Sequence, residues 1–419
     1  MDFSIPEDIQ AKLDALDAFI EKEIKPLQAQ DDNERFFDYR RENERTDWDN
    51  DGQPNHEWEE LLREMRRRAD AAGHLRYALP KEVGGDGGSN LGMAIIRDHL
   101  AAKGLGLHND LQNESSIVGN FPFVHMLMNF ASDEHKEQFL EPSITGKARV
   151  AFGLTEPNHG SDATWMETTG VRDGDDWIIN GEKMWNTGLH AATHDMIYAR
   201  TSGKDGDAKG ITCFFVPTDA PGFKVERFVW TFNMPTDHAH VTMRNVRVPN
   251  SAIFGEEGMG LTVAQTFLHE NRIRQAASGV GVADYCIKES VEYARNRKVF
   301  GEPIAMKQAI QWPLAELATE CEMVRWLVRK TAWELDRQNH MLVSDAVSMC
   351  NYRGNRLACN AADQAMQTHG GMGYSREKPF EHIYRHHRRY RITEGSDEIQ
   401  IRKIAGHLFG IQGPNKRPM

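Results

Sequence analysis

The sequence is short of cysteine, of net positive charge and of long apolar stretches, and each shortage removes a class of protein. The five cysteines, Cys213, Cys286, Cys321, Cys350 and Cys359, are scattered and form no C-x-x-C pair. An odd, dispersed set suits reduced, buried thiols and excludes a disulfide scaffold. Acidic side chains outnumber basic ones, 62 to 50, for a net charge of -12, so no nucleic-acid partner is expected. No apolar run approaches the roughly 18 residues of a membrane span, so no membrane partner is expected either. The start, Met1-Asp2-Phe3-Ser4-Ile5-Pro6, is acidic and lacks an apolar core. Neither a signal nor a transit peptide is expected there, although a removed import sequence would leave no trace. The expected location is cytoplasmic. What is present is a 419-residue chain with 40% hydrophobic residues, enough for two or three domains with cores of their own.

Periodicity divides the chain into three textures. In the first, Ile5, Ile9, Leu13, Leu16, Ile20 and Ile24 recur at helical spacing, Ser4 and Glu7 predict a capping box, and Pro26 predicts the helix end. Residues 31–55 carry little to bury and read as a loop. Trp58, Leu61, Leu62 and Met65 start a second helix that runs to Gly73, and residues 79–85 form a turn-rich junction. Further helices are expected over 91–103, 116–130 and 133–140. From about Lys147 short β-forming runs take over, at 150–154, 177–179, 196–199, 211–216, 241–243 and 246–249, with hairpin turns at Asp173-Gly174-Asp175 and Asn180-Gly181. After Gly258-Met259-Gly260 the helical period returns over 261–268, then to Arg297, and over 310–339, 342–368 and 380–389. The expected fold class is α+β: an N-terminal helical domain (1–148), a middle β-barrel-like domain (149–256) and a C-terminal four-helix bundle (257–419).

Four stretches could carry chemistry. Thr155-Glu156-Pro157-Asn158-His159-Gly160-Ser161-Asp162 ends a strand with hydroxyls and open backbone that suit a ring or a phosphate, or it is a plain β-turn connector. In Lys183-Met184-Trp185-Asn186-Thr187 an indole and a hydroxyl two residues apart share one strand face, where a planar group could stack; a structural tryptophan is the other reading. Arg295-Asn296-Arg297-Lys298-Val299-Phe300-Gly301, with Gln308 beyond, closes a helix with cations that either serve the helix dipole or grip a pyrophosphate. Finally, Glu394 lies between Thr393 and Gly395, after the basic residues Arg385, Arg388, Arg389 and Arg391 and before a helical run. Alone, such an acid reads as a solvated cap or as a general base.

In order and spacing, Thr155-Glu156-Pro157-x-x-Gly160-Ser161-Asp162, Trp185-x-Thr187, Arg297-Lys298-x-Phe300-Gly301, Gln367-x-x-Gly370-Gly371-x-Gly373 and Glu394-Gly395-Ser396-Asp397-Glu398-Ile399-Gln400 resemble the acyl-CoA dehydrogenase family. The resemblance covers residues 9–410. It implies an FAD enzyme that oxidises an acyl-CoA thioester to the trans-2-enoyl-CoA, passing electrons to electron-transferring flavoprotein. It places Phe152, Thr155, Ser161, Trp185 and Thr187 at the flavin ring, with Ser161, Arg272 and Gly395 also toward the substrate. Arg297, Phe300 and Gln308 fall at the pyrophosphate and adenosine half, with Gln367, Gly370 and Gly371 supplied by a neighbouring subunit and Ser396 and Glu398 returning to the cofactor. A shared site of that kind implies a homo-oligomer, typically a tetramer. Glu394 is the implied catalytic base. Some relatives carry the base just before the arginine that corresponds to Arg272, but here that residue is Asn271, and Glu270 is one position off, about 100 degrees round a helix.

Three departures from the family pattern bear on the site. Thr393 stands where many members have an aromatic residue, Val299 where a hydroxyl is common, and Ile401 where a basic residue is common. His382 and His386 lie one turn apart, but no third ligand is near and no metal is expected. Residues from Asn113 to Met128 and from Leu261 to Glu270 are where the resemblance places acyl selection; Phe121, Pro122, Phe123 and Met126 to Met128 read as a pocket lining or, better, as core. An oxidase on the same fold and a DNA-binding flavoprotein of the superfamily are the alternative functions.

Overall fold

The computed structural model describes residues 3–109, 115–339 and 341–411, without the side chains of Glu42 and of residues 266–270. The chain divides into two compact units. One comprises residues 1–42, 64–120 and 269–419, and the other residues 43–63 and 121–268.

The first unit is helical. Its first helix, Glu7–Phe19, does not take Ser4 as its N-cap; Pro6 holds that position, without a side-chain cap. Nor does Pro26 end it. A π-helical turn, Ile20–Ile24, leads into Lys25–Ala29, with Pro26 in the first turn of the new segment, where its missing N–H costs no hydrogen bond. Helix Asn90–Ala101 is capped by Ser89, whose hydroxyl accepts from the Gly92 N–H at 3.0 Å. Where the chain enters the second unit, the predicted helix over 116–130 is shorter than expected. It starts only at Pro122, because a residue before proline is held out of the α region and Phe121 sits at φ -131°.

Gly260–Asn296 is one helix of 37 residues, not two. Together with Gln308–Leu335, Ser344–His369 and Phe380–Arg389 it forms a core that includes Ala276, Val280, Val324, Leu357, Ala361 and Ile383. Two of these helices meet at glycine: a Cβ on Gly279 would lie 2.7 Å from the Gly354 carbonyl oxygen. Two arginines of the basic cluster are paired within the fold, Arg385 with Glu381 and Arg391 with Asp397. All five cysteines are buried and free.

The second unit is built on an eight-stranded sheet of β1 (Val150–Gly153), β2 (Thr169–Asp173), β3 (Asp176–Thr187), β4 (His194–Arg200), β5 (Ile211–Pro217), β6 (Phe223–Phe228), β7 (His238–Pro249) and β8 (Ile253–Phe254). The order is β8-β5-β4-β2-β3-β7-β6, with β1 parallel to β4. Alternation along β4 explains the continuous apolar run in its sequence: Ile197 and Ala199 enter one core, Met196 and Tyr198 another that also holds Met126, Leu127 and Phe139. Phe121 and Met126 are thus core, as read from the sequence. Asp173 and Asp176 do flank a turn, but Asn180-Gly181 is not one. It is a bulge inside β3, where a side chain at Gly181 would collide with Thr168. The start of helix His56–Ala71 is tied to this unit by Glu59, which receives Arg149 at 2.7 Å and His190 at 3.0 Å.

Candidate functional site

In the helical unit the site is organised by the loop before helix Asp397–Leu408. Glu394 sits at φ 57° and Gly395 at 97°, two consecutive left-handed residues of which the first is not glycine. Such a conformation persists only where the surroundings impose it, and here Arg272 imposes it. Its guanidinium donates to the Glu394 carbonyl oxygen through Nε at 3.0 Å and Nη2 at 2.6 Å. Gln400 closes the other side, its Nε2 donating to the Gly395 carbonyl at 2.9 Å. A Cβ on Gly395 would lie 3.0 Å from both Arg272 Nη2 and Gln400 Nε2, and at φ 97° a side chain here would be strained. Asp397 anchors the loop's far end, its Oδ2 accepting from Arg356 at 2.8 Å and Arg391 at 3.0 Å. Arg272 is therefore a backbone clamp, a role the sequence did not reveal. Burial lowers its pKa, opposed by the Glu394 charge. Lys403 on the following helix is pushed down to about 8 by burial and by the charge of Arg272.

Asn271, where some relatives carry the base, is buried and accepts from the Asn120 amide at 3.2 Å and from Arg274. It is part of an amide network and cannot ionise. The side chain of Glu270 lies outside the described residues, as does Asn113.

The remaining expected cofactor residues of this unit lie at two turns. Arg297 follows the end of helix Gly260–Asn296, and a two-stranded hairpin, Lys298–Val299 with Glu302–Pro303, leads from it to Gln308. Phe300 and Gly301 form the hairpin tip, at φ 53° and 85°, and Phe300 is 95% exposed. Gln367 and the Gly370-Gly371 turn close helix Ser344–His369. The two places are joined by a stack of Tyr293 on His369, ring centroids 4.3 Å apart. At Gly370 and Gly371 an added Cβ would meet nothing within 4 Å among the described residues. Ser396 occupies the N-cap of the last helix and Glu398 lies in its first turn.

In the β unit, Phe152 ends near the top of β1, Thr155 and Ser161 lie in the loop that follows, and Trp185 and Thr187 end β3. The two segments are joined by the Met184 N–H donating to the Thr155 carbonyl at 2.9 Å. Trp185 is at φ 71° within a bulge and remains 45% exposed. Thr187 Oγ1 is 3.0 Å from Nδ1 of His238, a neighbour that the sequence did not flag. The bulge puts Trp185 and Thr187 on the exposed side, as expected, while Lys183 and Asn186 on either side of the indole are fully buried.

Each unit by itself presents groups that suit part of a flavin dinucleotide. In the β unit a half-uncovered indole beside a hydroxyl suits a ring system that needs stacking and hydrogen bonds; in the helical unit an exposed phenylalanine three residues from a guanidinium, and an open glycine turn, suit a pyrophosphate and its nucleoside. No cluster of three metal-ligating side chains occurs among the described residues. Nor, among them, is any helix long and apolar enough to cross a membrane.

Comparison with known proteins agrees along the whole chain. Models of the acyl-CoA dehydrogenase N-terminal, middle and C-terminal domains match residues 33–147, 151–246 and 258–409. A 3-(aryl)acrylate reductase of Clostridium sporogenes is 34% identical over 355 residues, 84% of this chain and 91% of that protein. The human mitochondrial short-chain specific acyl-CoA dehydrogenase is 31% identical over 406 residues, 97% of this chain and 91% of that one. Among solved structures, butyryl-CoA dehydrogenase from Megasphaera elsdenii superimposes with a TM-score of 0.77 at 26% identity, covering 98% of this chain and 100% of that chain.

Proposed function

The chain belongs to the acyl-CoA dehydrogenase family of FAD-dependent oxidoreductases, and from that premise we propose that it oxidises an acyl-CoA at Cα–Cβ, with Glu394 as the base. The observation that carries this reading is the clamped, left-handed Glu394: a carboxyl-bearing residue fixed through its own carbonyl by Arg272. An α-proton of a thioester is weakly acidic, so the base must be placed within reach and shielded from water. Arg272 and Gln400 supply the placement by immobilising the backbone on both sides of the acid. The missing side chain at Gly395 leaves room for the thioester, and the Glu394 N–H is the proposed donor to its oxygen. FAD, when bound, supplies the acceptor for the β-hydride. Phe152, Thr155, Ser161, Trp185 and Thr187 are proposed to hold its ring, and Arg297, Phe300, Gln308, Gln367, Gly370, Gly371, Ser396 and Glu398 its other half.

The same reading makes electron-transferring flavoprotein the electron acceptor and a homotetramer the working assembly, with three functional segments parting near residues 148 and 256. Large apolar side chains left uncovered on helix Gln308–Leu335, Trp312, Met323 and Trp333, support an assembly that covers them.

A second reading, reduction of an aryl-substituted 2-enoyl group, is favoured by the name of the 34%-identical clostridial relative and by Thr393, which leaves the space beside the base free of an aromatic ring. One anaerobic experiment separates the two. The yellow protein is mixed with acyl-CoAs from short straight to branched and aromatic, and the flavin absorbance is followed. Bleaching identifies the dehydrogenase substrate. Failure of every acyl-CoA, with reoxidation of the pre-reduced protein by an aryl acrylate or its CoA ester, selects the reductase.

A further inference from the structure

The β unit contains a buried polar arrangement that the proposed chemistry does not use. Strand β3 should alternate, inward at Lys183 and outward at Asn186, yet both side chains are fully buried. The bulge at Trp185 turns Asn186 inward as well, so the exposed indole lies between two inward anchors. Lys183 Nζ donates to Glu156 Oε1 at 2.8 Å and to the Leu154 carbonyl at 3.2 Å. Glu156 is filled further by the N–H groups of Glu167 at 2.6 Å and Thr168 at 2.9 Å. Asn186 Nδ2 donates to Oδ2 of Asp195 on the neighbouring β4, and the second oxygen of Asp195 meets no hydrogen-bond donor among the described residues.

Space for the second pair is provided by Gly153. A Cβ there would lie 2.8 Å from Asn186 Nδ2 and 3.0 Å from Asp195 Oδ1. Lys183 therefore locks the 183–187 segment directly onto residues 154–156, and Asn186 ties it to Asp195 on β4, the strand against which residues 150–153 pair in parallel; these are the stretches that present Trp185, Thr187, Phe152 and Thr155. A buried ion pair and a buried amide–carboxyl pair are costly to bury. A simpler strand with apolar residues at 183 and 186 would fill the same volume, so the arrangement invites a role in specifying geometry.

We propose that Asn186 and Asp195, together with Lys183 and Glu156, are positioning residues for the flavin: they hold Trp185 in its left-handed bulge and align it with the Phe152–Thr155 stretch. This rests on the reading that Trp185 lies at the flavin ring. Asp195 acts through Asn186, and neither side chain meets the cofactor.

The experiment uses the full-length protein stripped of FAD and reconstituted, with variants Asn186→Leu, Asp195→Val, Asp195→Asn and Trp185→Leu. FAD dissociation constants, quenching of tryptophan fluorescence and the position of the flavin absorption bands are read, with circular dichroism as the check on folding. Asn186→Leu and Asp195→Val are expected to bind FAD about tenfold more weakly and to shift the flavin bands. Asp195→Asn, which keeps an oxygen facing the Asn186 amide, is expected to restore the wild-type bands. If Asn186→Leu folds and retains the wild-type affinity and bands while Trp185→Leu alters them, the brace has no positioning role and the inference falls. Should Asp195→Val not fold, Asn186→Leu and Asp195→Asn decide the matter by themselves. Unaltered affinity and bands in Trp185→Leu would instead remove Trp185 from the flavin, and the inference with it.

Discussion

Arg272 and Glu394 are separated by 122 positions, yet the guanidinium of the first holds the peptide carbonyl of the second at 2.6 Å and 3.0 Å. The contact acts on the backbone that aims the acid. Losing it frees a strained left-handed residue to relax, and a base displaced by about 1 Å loses about a hundredfold in rate. Arg272→Ala is therefore expected to retain FAD and to slow anaerobic flavin reduction by about that factor, with Arg272→Lys intermediate because one ammonium cannot reproduce the two-nitrogen grip. Stopped-flow bleaching at saturating substrate measures it. Equal rates in all three proteins would reduce the clamp to packing.

Removal of the acid itself should be more severe and more selective. Glu394→Gln preserves size and leaves the backbone contacts to Arg272 and Gln400 in place. It is expected to bind FAD and acyl-CoA normally and to lose about a thousandfold in flavin reduction. Bleaching at the wild-type rate would clear Glu394 of the role and make Glu270 the next residue to replace.

Much of this was legible from residue order, because helical and strand periods reflect local sterics and the burial of one face. The helices over 56–71 and 380–389 and the switch to β structure near residue 150 follow from spacing alone. Failures arose where a local signal had two structural uses. Pro26 can end a helix or sit in the first turn of another, and Asn180-Gly181 can make a turn or a bulge; tertiary packing chose the second use each time. The Arg272 clamp and the Asn186–Asp195 pair were illegible for a different reason. Both depend on which backbone atom or strand neighbour a long-range contact brings near, and nothing in residue type encodes that.

Arg297 and Phe300 bear on the other half of the proposed cofactor site. Both are exposed at a hairpin that packs little of itself, and Phe300 is 95% exposed. Substitution there should cost the protomer little, within about 0.5 kcal/mol. Arg297→Ala is accordingly expected to keep the apo-protein's thermal midpoint while lowering FAD occupancy and loosening the oligomer, read by flavin-to-protein absorbance and sedimentation. Full occupancy in an intact oligomer would remove Arg297 from the pyrophosphate.

Asp195 gives a pH signature whose sign can be worked out. Burial raises its carboxyl to about 7, against the Asn186 hydrogen bond and the Lys183 charge, which both lower it. Its ordinary value is 3.8, so the folded state holds the proton more tightly than the unfolded chain. The stability associated with that proton is complete below about pH 4 and is lost as pH rises through 7. An asparagine at this position does not titrate, so the comparison cancels the ionisable groups that do not feel the Asp195 charge. Relative to Asp195→Asn, the wild-type protein is expected to lose about 2–3 kcal/mol of stability between pH 5 and pH 8. Denaturant unfolding of both proteins at saturating FAD at the two pH values measures this directly. A constant difference between them would mean that Asp195 is already ionised throughout that range, its charge balanced by Lys183.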